Sequence, residues 1–260
     1  MNRVITLALL ALLTASASHA APGTNLRWID CFGDAGLINR NFACNTNTGF
    51  ETLVGSFELG ADILNASGLE VVIDIGSQTS PLPAWWHFKN AGTCRATSLS
   101  LSTVPPLNAS VCQDWSSGQA LGGIGVYIIG TNLRGPNWAR LTAALAVPAT
   151  GLAELVTGQE YFGFQFRILH NKTVGTGACE GCCTRAAILF NAIKVTTPVP
   201  QDDRVISGAT NGTDSNYALW QGGYRFFAPS GSSMAEPAPP CGETVPTRSR
   251  TWSEVKALYR

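Results

Sequence analysis

The chain is short of charge. Lys, Arg, Asp and Glu make up 13% of its 260 residues, about half the share usual in a globular domain. Seventeen basic side chains balance seventeen acidic ones, and no basic patch stands out, so nucleic acid is excluded as a partner. Histidine is scarce as well. Three occur in the chain, and with His19 in the leader discussed next, a Ser-His-Asp or His-metal centre would have to use His87 or His170. The patterns G-x-S-x-G, H-E-x-x-H, G-x-x-x-x-G-K-[ST] and the EF-hand loop are missing. Beyond Ala20 no apolar run approaches the ~18 residues of a membrane span. No Cys follows Ala20, which argues against a lipid anchor there. Strand-like runs do not alternate with long helical patterns, which argues against a parallel α/β fold.

What is present starts with the first twenty residues. Asn2-Arg3 gives a positive start, Val4 to Leu13 is an apolar run broken by Thr6, and Ser18-His19-Ala20 offers small residues at the key positions. This reads as a secretory signal peptide cleaved after Ala20. Cleavage leaves 240 residues, enough for a substantial core, and removes Arg3, so that 16 basic side chains face 17 acidic ones. The eight cysteines all lie beyond the leader. They imply export to a compartment where thiols oxidise: the periplasm, the cell surface or the medium.

Period-two alternation dominates the mature chain. Leu69, Val71, Ile73 and Ile75 alternate with Glu70 and Asp74; Phe162, Phe164, Phe166 and Ile168 alternate with Tyr161, Gln165 and Arg167; Leu99 and Leu101 alternate with serines. Each pattern places one side chain in a core and the next in water. Phe50–Leu59, Ile124–Ile129, Trp138–Val147 and Ala186–Thr196 add strand character, and turn residues separate the runs. Eight to ten strands with one apolar face each predict an all-β fold, a two-sheet antiparallel β-sandwich of jelly-roll or Greek-key type over residues 21–227. The segment 151–156 offers one short helix. Residues 228–247 carry five prolines with Gly, Ser and Ala and read as a linker. Residues 248–260 then read as a short amphipathic helix. Thr251 and Glu254 fit a capping box, and Trp252, Val255, Leu258 and Tyr259 share one face. So short a helix is marginal alone. It is either a sorting or docking tail or a cover for the protein's own surface.

The cysteines offer several pairings. Cys31 and Cys44 flank one turn-rich stretch, and Cys94 and Cys112 another. Closing either loop locally would contribute roughly 3 kcal/mol. One further bridge is expected within Cys179, Cys182 and Cys183, with Cys241 either taking the remaining thiol or staying free. Cys179-Glu180-Gly181-Cys182 matches the redox C-x-x-C pattern but lacks the βαβ context of a thioredoxin. Zinc would compete with oxidation and finds no histidine nearer than His170. No cofactor and no metal are expected. Asn211 to Asn216 and Asp202-Asp203 supply oxygen ligands suited to Ca²⁺, though such loops usually bond their own backbone. Trp85, Trp86 and Trp220 lie near turns, where exposed indoles could stack on sugar rings. Alternatively, one of the adjacent pair faces the core and the other covers a sheet edge. Two acids need no sequence signature, so a paired-carboxylate glycosidase stays open.

The stretches Leu82-Pro83-Ala84-Trp85-Trp86, Asn90-Ala91-Gly92-Thr93-Cys94, Thr210 to Asn216 and Thr251 to Arg260 resemble those of a group of exported bacterial proteins with a W-x-x-V-K-x-L-Y-R-like tail and no assigned activity. The resemblance spans most of the mature chain and implies a bacterial exported protein. Members often carry a third cysteine in the strand after the C-x-x-C. Here Ala186-Ala187 occupy that strand and Cys183 is the extra thiol. The reading that follows is a non-enzymatic exported binding or structural envelope protein whose partner is a glycan or an envelope or sorting protein. The alternative is a secreted glycan-active hydrolase.

Overall fold

The computed structural model describes residues 21–130, 134–223 and 241. The leader, most of the Pro-rich segment and the expected C-terminal helix lie outside these. The described residues are all-β: β1 (Gly23–Trp28), β2 (Asn39–Arg40), β3 (Phe50–Glu58), β4 (Ile63–Ala66), β5 (Gly68–Ser77), β6 (Leu99–Ser102), β7 (Gln113–Asp114), β8 (Leu121–Ile129), β9 (Trp138–Ala146), β10 (Ala153–Leu155), β11 (Glu160–Leu169), β12 (Ala186–Thr196), β13 (Arg204–Ser207) and β14 (Tyr217–Trp220). Only two single 3-10 turns, Ala84–Trp86 and Pro200–Asp202, interrupt them. The short helix expected over 151–156 is instead a turn, closed by the Gly151 N–H on the Pro148 carbonyl, followed by β10. Among the described residues, no helix is long and apolar enough to cross a membrane.

One sheet runs β1-β3-β11-β6 with β7 also on β11. A second runs β2-β14-β12-β5-β9-β8 with β13 also on β12, and β10-β4 forms a small third. All pairs are antiparallel except β7 with β11 and β14 with β2. Leu26, Leu53, Phe57, Phe164, Phe166 and Ile168 from the first sheet share one apolar cluster with Val71, Ile73, Ile75, Leu141, Ile188 and Phe190 from the second. The rings of Phe164 and Phe190 meet edge to face at 5.2 Å across the two sheets. Gly55 is needed opposite Phe164, because a Cβ there would overlap the ring.

The period-two reading of β11 fails at one point. The register shifts between Phe162 and Phe164, so Phe162 faces away from the shared core. It joins Val54, Cys31 and Cys112 in a separate outer cluster, while Tyr161, expected in water, packs in the shared core. A bulge inserts one residue and flips the faces upstream of it. On β5, Asp74 does face away from the core, yet it is buried. Arg140 grips its carboxylate through Nε at 2.7 Å and Nη2 at 2.8 Å, and Asn191 donates to it as well.

β1 is the seam between the sheets. It pairs with β3, and its other edge meets the C-terminal part of the fold. The Thr24 N–H donates to the Gly208 carbonyl and the Leu26 N–H to that of Ser215, both at 2.7 Å. Arg27 Nη1 donates to the Tyr217 carbonyl at 2.9 Å, and Trp28 Nε1 to that of Leu219 at 2.8 Å.

The local disulfide scheme is overturned. The bonds are Cys31–Cys112, Cys44–Cys182, Cys94–Cys179 and Cys183–Cys241. Cys31 does not pair with Cys44, Cys94 does not pair with Cys112, and no bridge closes within 179–183. Of the two courses open to Cys241, it takes the first and bonds a cysteine of that cluster. Ease of closing a short loop describes the unfolded chain. The native pairs follow instead from which loops the sheets bring together, and Cys31, leaving β1, meets Cys112, entering β7, on the outer face of the first sheet.

Candidate binding groove

The residues singled out for sugar stacking are not at the surface. Trp85, Trp86 and Trp220 are each 0% exposed, so no sugar reaches their faces. The 3-10 turn lets both adjacent indoles point inward, where a strand would have split them. Trp85 stacks on Trp220 with centroids 5.0 Å apart, and Trp86 meets Trp220 edge-on at 5.7 Å. Trp220 Nε1 donates to the Cys182 carbonyl at 2.7 Å. The guanidinium of Arg95, 1% exposed, lies 3.7 Å over the Trp85 ring. It donates to the Trp85 carbonyl at 3.1 Å and to that of Leu169. Burial pulls its pKa down to about 9. Nothing in the pattern around Arg95 marks it as a buried cation beyond its place after Cys94.

The candidate acid–base groups are held in structural ties. His170 presents Nδ1 to the Thr48 carbonyl at 2.7 Å and Nε2 to Glu51 at 3.1 Å, and its ring stacks on Phe42 at 3.9 Å. His87 Nε2 meets the Leu82 carbonyl at 2.8 Å. Glu160 receives the Gly33 N–H at 2.8 Å, the Phe32 N–H at 3.1 Å, Asn25 Nδ2 at 3.3 Å and the Ser56 hydroxyl. Glu58 sits opposite Glu160 on the neighbouring strand. Burial, then the charge of Glu160, raises its pKa. Asp34 pins the loop carrying Cys112. Burial opposes its charge, but the N–H groups of Cys112, Ser110 and Val111 and the Ser110 hydroxyl outweigh that and hold its carboxyl at about 2. The 211–216 loop bonds itself: Asn211 Oδ1 accepts the N–H groups of Thr213, Asp214 and Ser215, each at 3.0 Å. That is the backbone-bonding turn rather than a set of oxygens turned toward an ion.

A concave surface lies beyond the last residue of β12. Pro198 and Pro200 stop the strand from continuing, the Pro200–Asp202 turn reverses the chain, and β13 returns along β12. Asp203 fixes the reversal, accepting the Thr197 N–H at 2.8 Å and meeting Lys194 Nζ at 3.0 Å. These two bonds, the Thr197 one first, lower its pKa. Facing this turn, Asp62 accepts the Thr157 N–H at 2.7 Å and its hydroxyl at 2.8 Å, just before β4. Between them lies a hollow of about 270 Å³ lined by Asp62, Leu64, Asn65, Val199, Asp202 and Arg204 among others. A second hollow of about 340 Å³, between Pro22, Leu59 and Val205, adjoins it and shares Arg204. Leu64, Val199 and Val205 are 67%, 51% and 70% exposed.

No protein-family model, curated protein or solved structure matches the chain.

The groove combines aliphatic edges with Arg204 and two acids, and its lining holds no histidine or cysteine. Sequence reading missed it because Leu64, Val199 and Val205 look like core residues. The Pro198-Val199-Pro200 run ends the strand without indicating what the turn exposes.

Proposed function

We propose that residues 21–227 form an exported, disulfide-stabilised β-sandwich of jelly-roll or Greek-key type that works as a binding or structural envelope protein and not as an enzyme. One observation carries this reading. His170 and Glu160 are held in structural ties, while the hollow beyond β12 presents exposed aliphatic side chains around Arg204. Four disulfides support an oxidising destination. A glycan or an envelope protein fits an aliphatic groove with a few charged groups.

The test is a Leu64→Asp/Val205→Asp variant of the whole chain, compared with wild type for envelope association in fractionated cells and for melting temperature. Loss of association at unchanged melting temperature supports the reading. Unchanged association removes the groove from it. The hydrolase alternative rests on the adjacent carboxylates of Glu58 and Glu160. It predicts glycan cleavage that disappears in Glu58→Gln, and such cleavage by the wild type would replace the binding reading.

A further inference from the structure

Two of the four disulfides meet in one cluster. Cys182 and Cys183 are consecutive on a turn in which the Thr184 N–H closes on the Gly181 carbonyl at 3.1 Å. Gly181 has φ of +96° and packs so closely on Pro83 that a Cβ would overlap the proline ring. This turn leads the two neighbouring sulfurs to different partners: Cys182 bonds Cys44, and Cys183 bonds Cys241. The sulfurs of Cys44, Cys183 and Cys241 all lie within 4.8 Å of one another, and these three residues are half-buried. Cys44, Cys182 and Cys183 line a cleft of about 490 Å³ together with Glu180 and Thr184. The Cys31–Cys112 bridge differs, because its close third group is the Asp34 carboxylate and not a sulfur.

We propose that this cluster is a thiol-exchange site, taking a small thiol of tripeptide size and letting Cys182 and Cys183 trade partners. The incoming thiolate attacks Cys241 Sγ. It forms a mixed disulfide there and releases Cys183 as thiolate. Cys183 then attacks Cys44 Sγ, forming Cys44–Cys183 and expelling Cys182 as thiolate. Cys182 attacks Cys241 Sγ in the mixed disulfide, forming Cys182–Cys241 and returning the small thiol. Each step breaks one S–S bond and makes one, so no net oxidation occurs and the thiol is a catalyst. Proximity drives the middle step, because the attacking and attacked sulfurs are already neighbours on a folded frame. The site does not depend on the groove, and its test is independent of envelope binding.

The experiment removes the outer partner. In full-length Cys241→Ser, Cys183 starts as a free thiol beside the Cys44–Cys182 bond. The oxidised protein is incubated at mildly alkaline pH, quenched in acid and alkylated. Fragmentation between residues 182 and 183 then locates the label. The expected result is a shift of label from Cys183 alone to both Cys182 and Cys183. In Cys112→Ser the label stays on Cys31, since no second disulfide lies beside it. Label confined to Cys183 after incubation overturns the proposal. A second measurement uses wild type with substoichiometric glutathione and no variant. Linkage of Cys44 to both Cys182 and Cys183 without free thiols supports exchange, and retention of the starting pairs alone refutes it.

Discussion

β12 has two unlike ends. At Ala186 it leaves a loop fastened by three of the four disulfides, next to the packed indoles of Trp85, Trp86 and Trp220 and the guanidinium of Arg95. At Thr196 it runs into the Pro-Val-Pro turn, where none of the four disulfides lies and where Val199, Val205 and Leu64 stand in solvent. Eleven residues separate the two ends, about 35 Å of strand. The same strand is thus anchored at one end and open at the other. The difference teaches that the large aromatic side chains at the anchored end are spent on packing, whereas the surface at the open end is made of ordinary aliphatics.

The contrast is broken most directly by cutting the anchored end. Replacing Cys44 and Cys182 by alanine frees a bridge spanning 138 residues. The expected loss is about 5 kcal/mol in the chain-entropy limit, read as a lower midpoint in denaturant unfolding. A loss below about 1 kcal/mol would mean that the sheets hold that end without help.

Arg95→Ala comes next. It leaves the Trp85 and Leu169 carbonyls without their donor and opens a space beneath Trp85. About 2–4 kcal/mol should go, with the near-ultraviolet signal of the stacked indoles reduced. An unchanged indole signal would show that the tryptophans position themselves.

A smaller effect lies on the outer face of the first sheet. The Asp34 carboxyl is held at about 2 in the folded protein, below its unfolded value near 3.9. Its contribution to stability is therefore complete above about pH 4 and is lost as pH falls toward 2. Amide exchange of Ser110, Val111 and Cys112 should accelerate through that window in wild type. Asp34→Asn should make it pH-independent there, apart from the intrinsic exchange rate.

The smallest stability effect is expected at the open end. Val205→Asp, at a side chain already in water, should change unfolding free energy by no more than about 0.5 kcal/mol. A large destabilisation would mean that the groove edge is part of the core after all, and the comparison of ends would fail.

Much of the architecture is legible where burial is one-sided. Leu69 to Ile75 alternates because β5 has a core on one face, and Val71, Ile73 and Ile75 are all buried there. The reading fails where a single inserted residue changes the parity, as before Phe164, because nothing in the apolar pattern marks a bulge. Asp74 misled for another reason. Alternation tells which face a residue takes but not whether an arginine and an asparagine will cover it. The cysteine pairing was illegible because it depends on sheet order, which brings together residues 58 to 138 positions apart. The indoles lie inside and the aliphatic side chains of the groove outside for one physical reason. Residue type fixes the preference for burial, but a tight turn decides where a side chain can go. The 3-10 turn at Ala84–Trp86 takes two tryptophans inward, and the one at Pro200–Asp202 leaves Val199 outside.

The seam at β1 has a consequence for the order in which the molecule is assembled. Apart from Trp28, which pairs with Leu37, the first strand of the described chain completes its backbone bonding only with Gly208 and Ser215. During synthesis, residues 24–26 therefore emerge with one edge unmatched and wait for almost 190 further residues, roughly 10–40 s at ordinary elongation rates. A nascent chain stopped before residue 208 carries that bare edge, together with the apolar side chains of Leu26 and Trp28, permanently. The timing of completion is thus set by the last strands to appear, and any factor that shields the early segment must stay until they do.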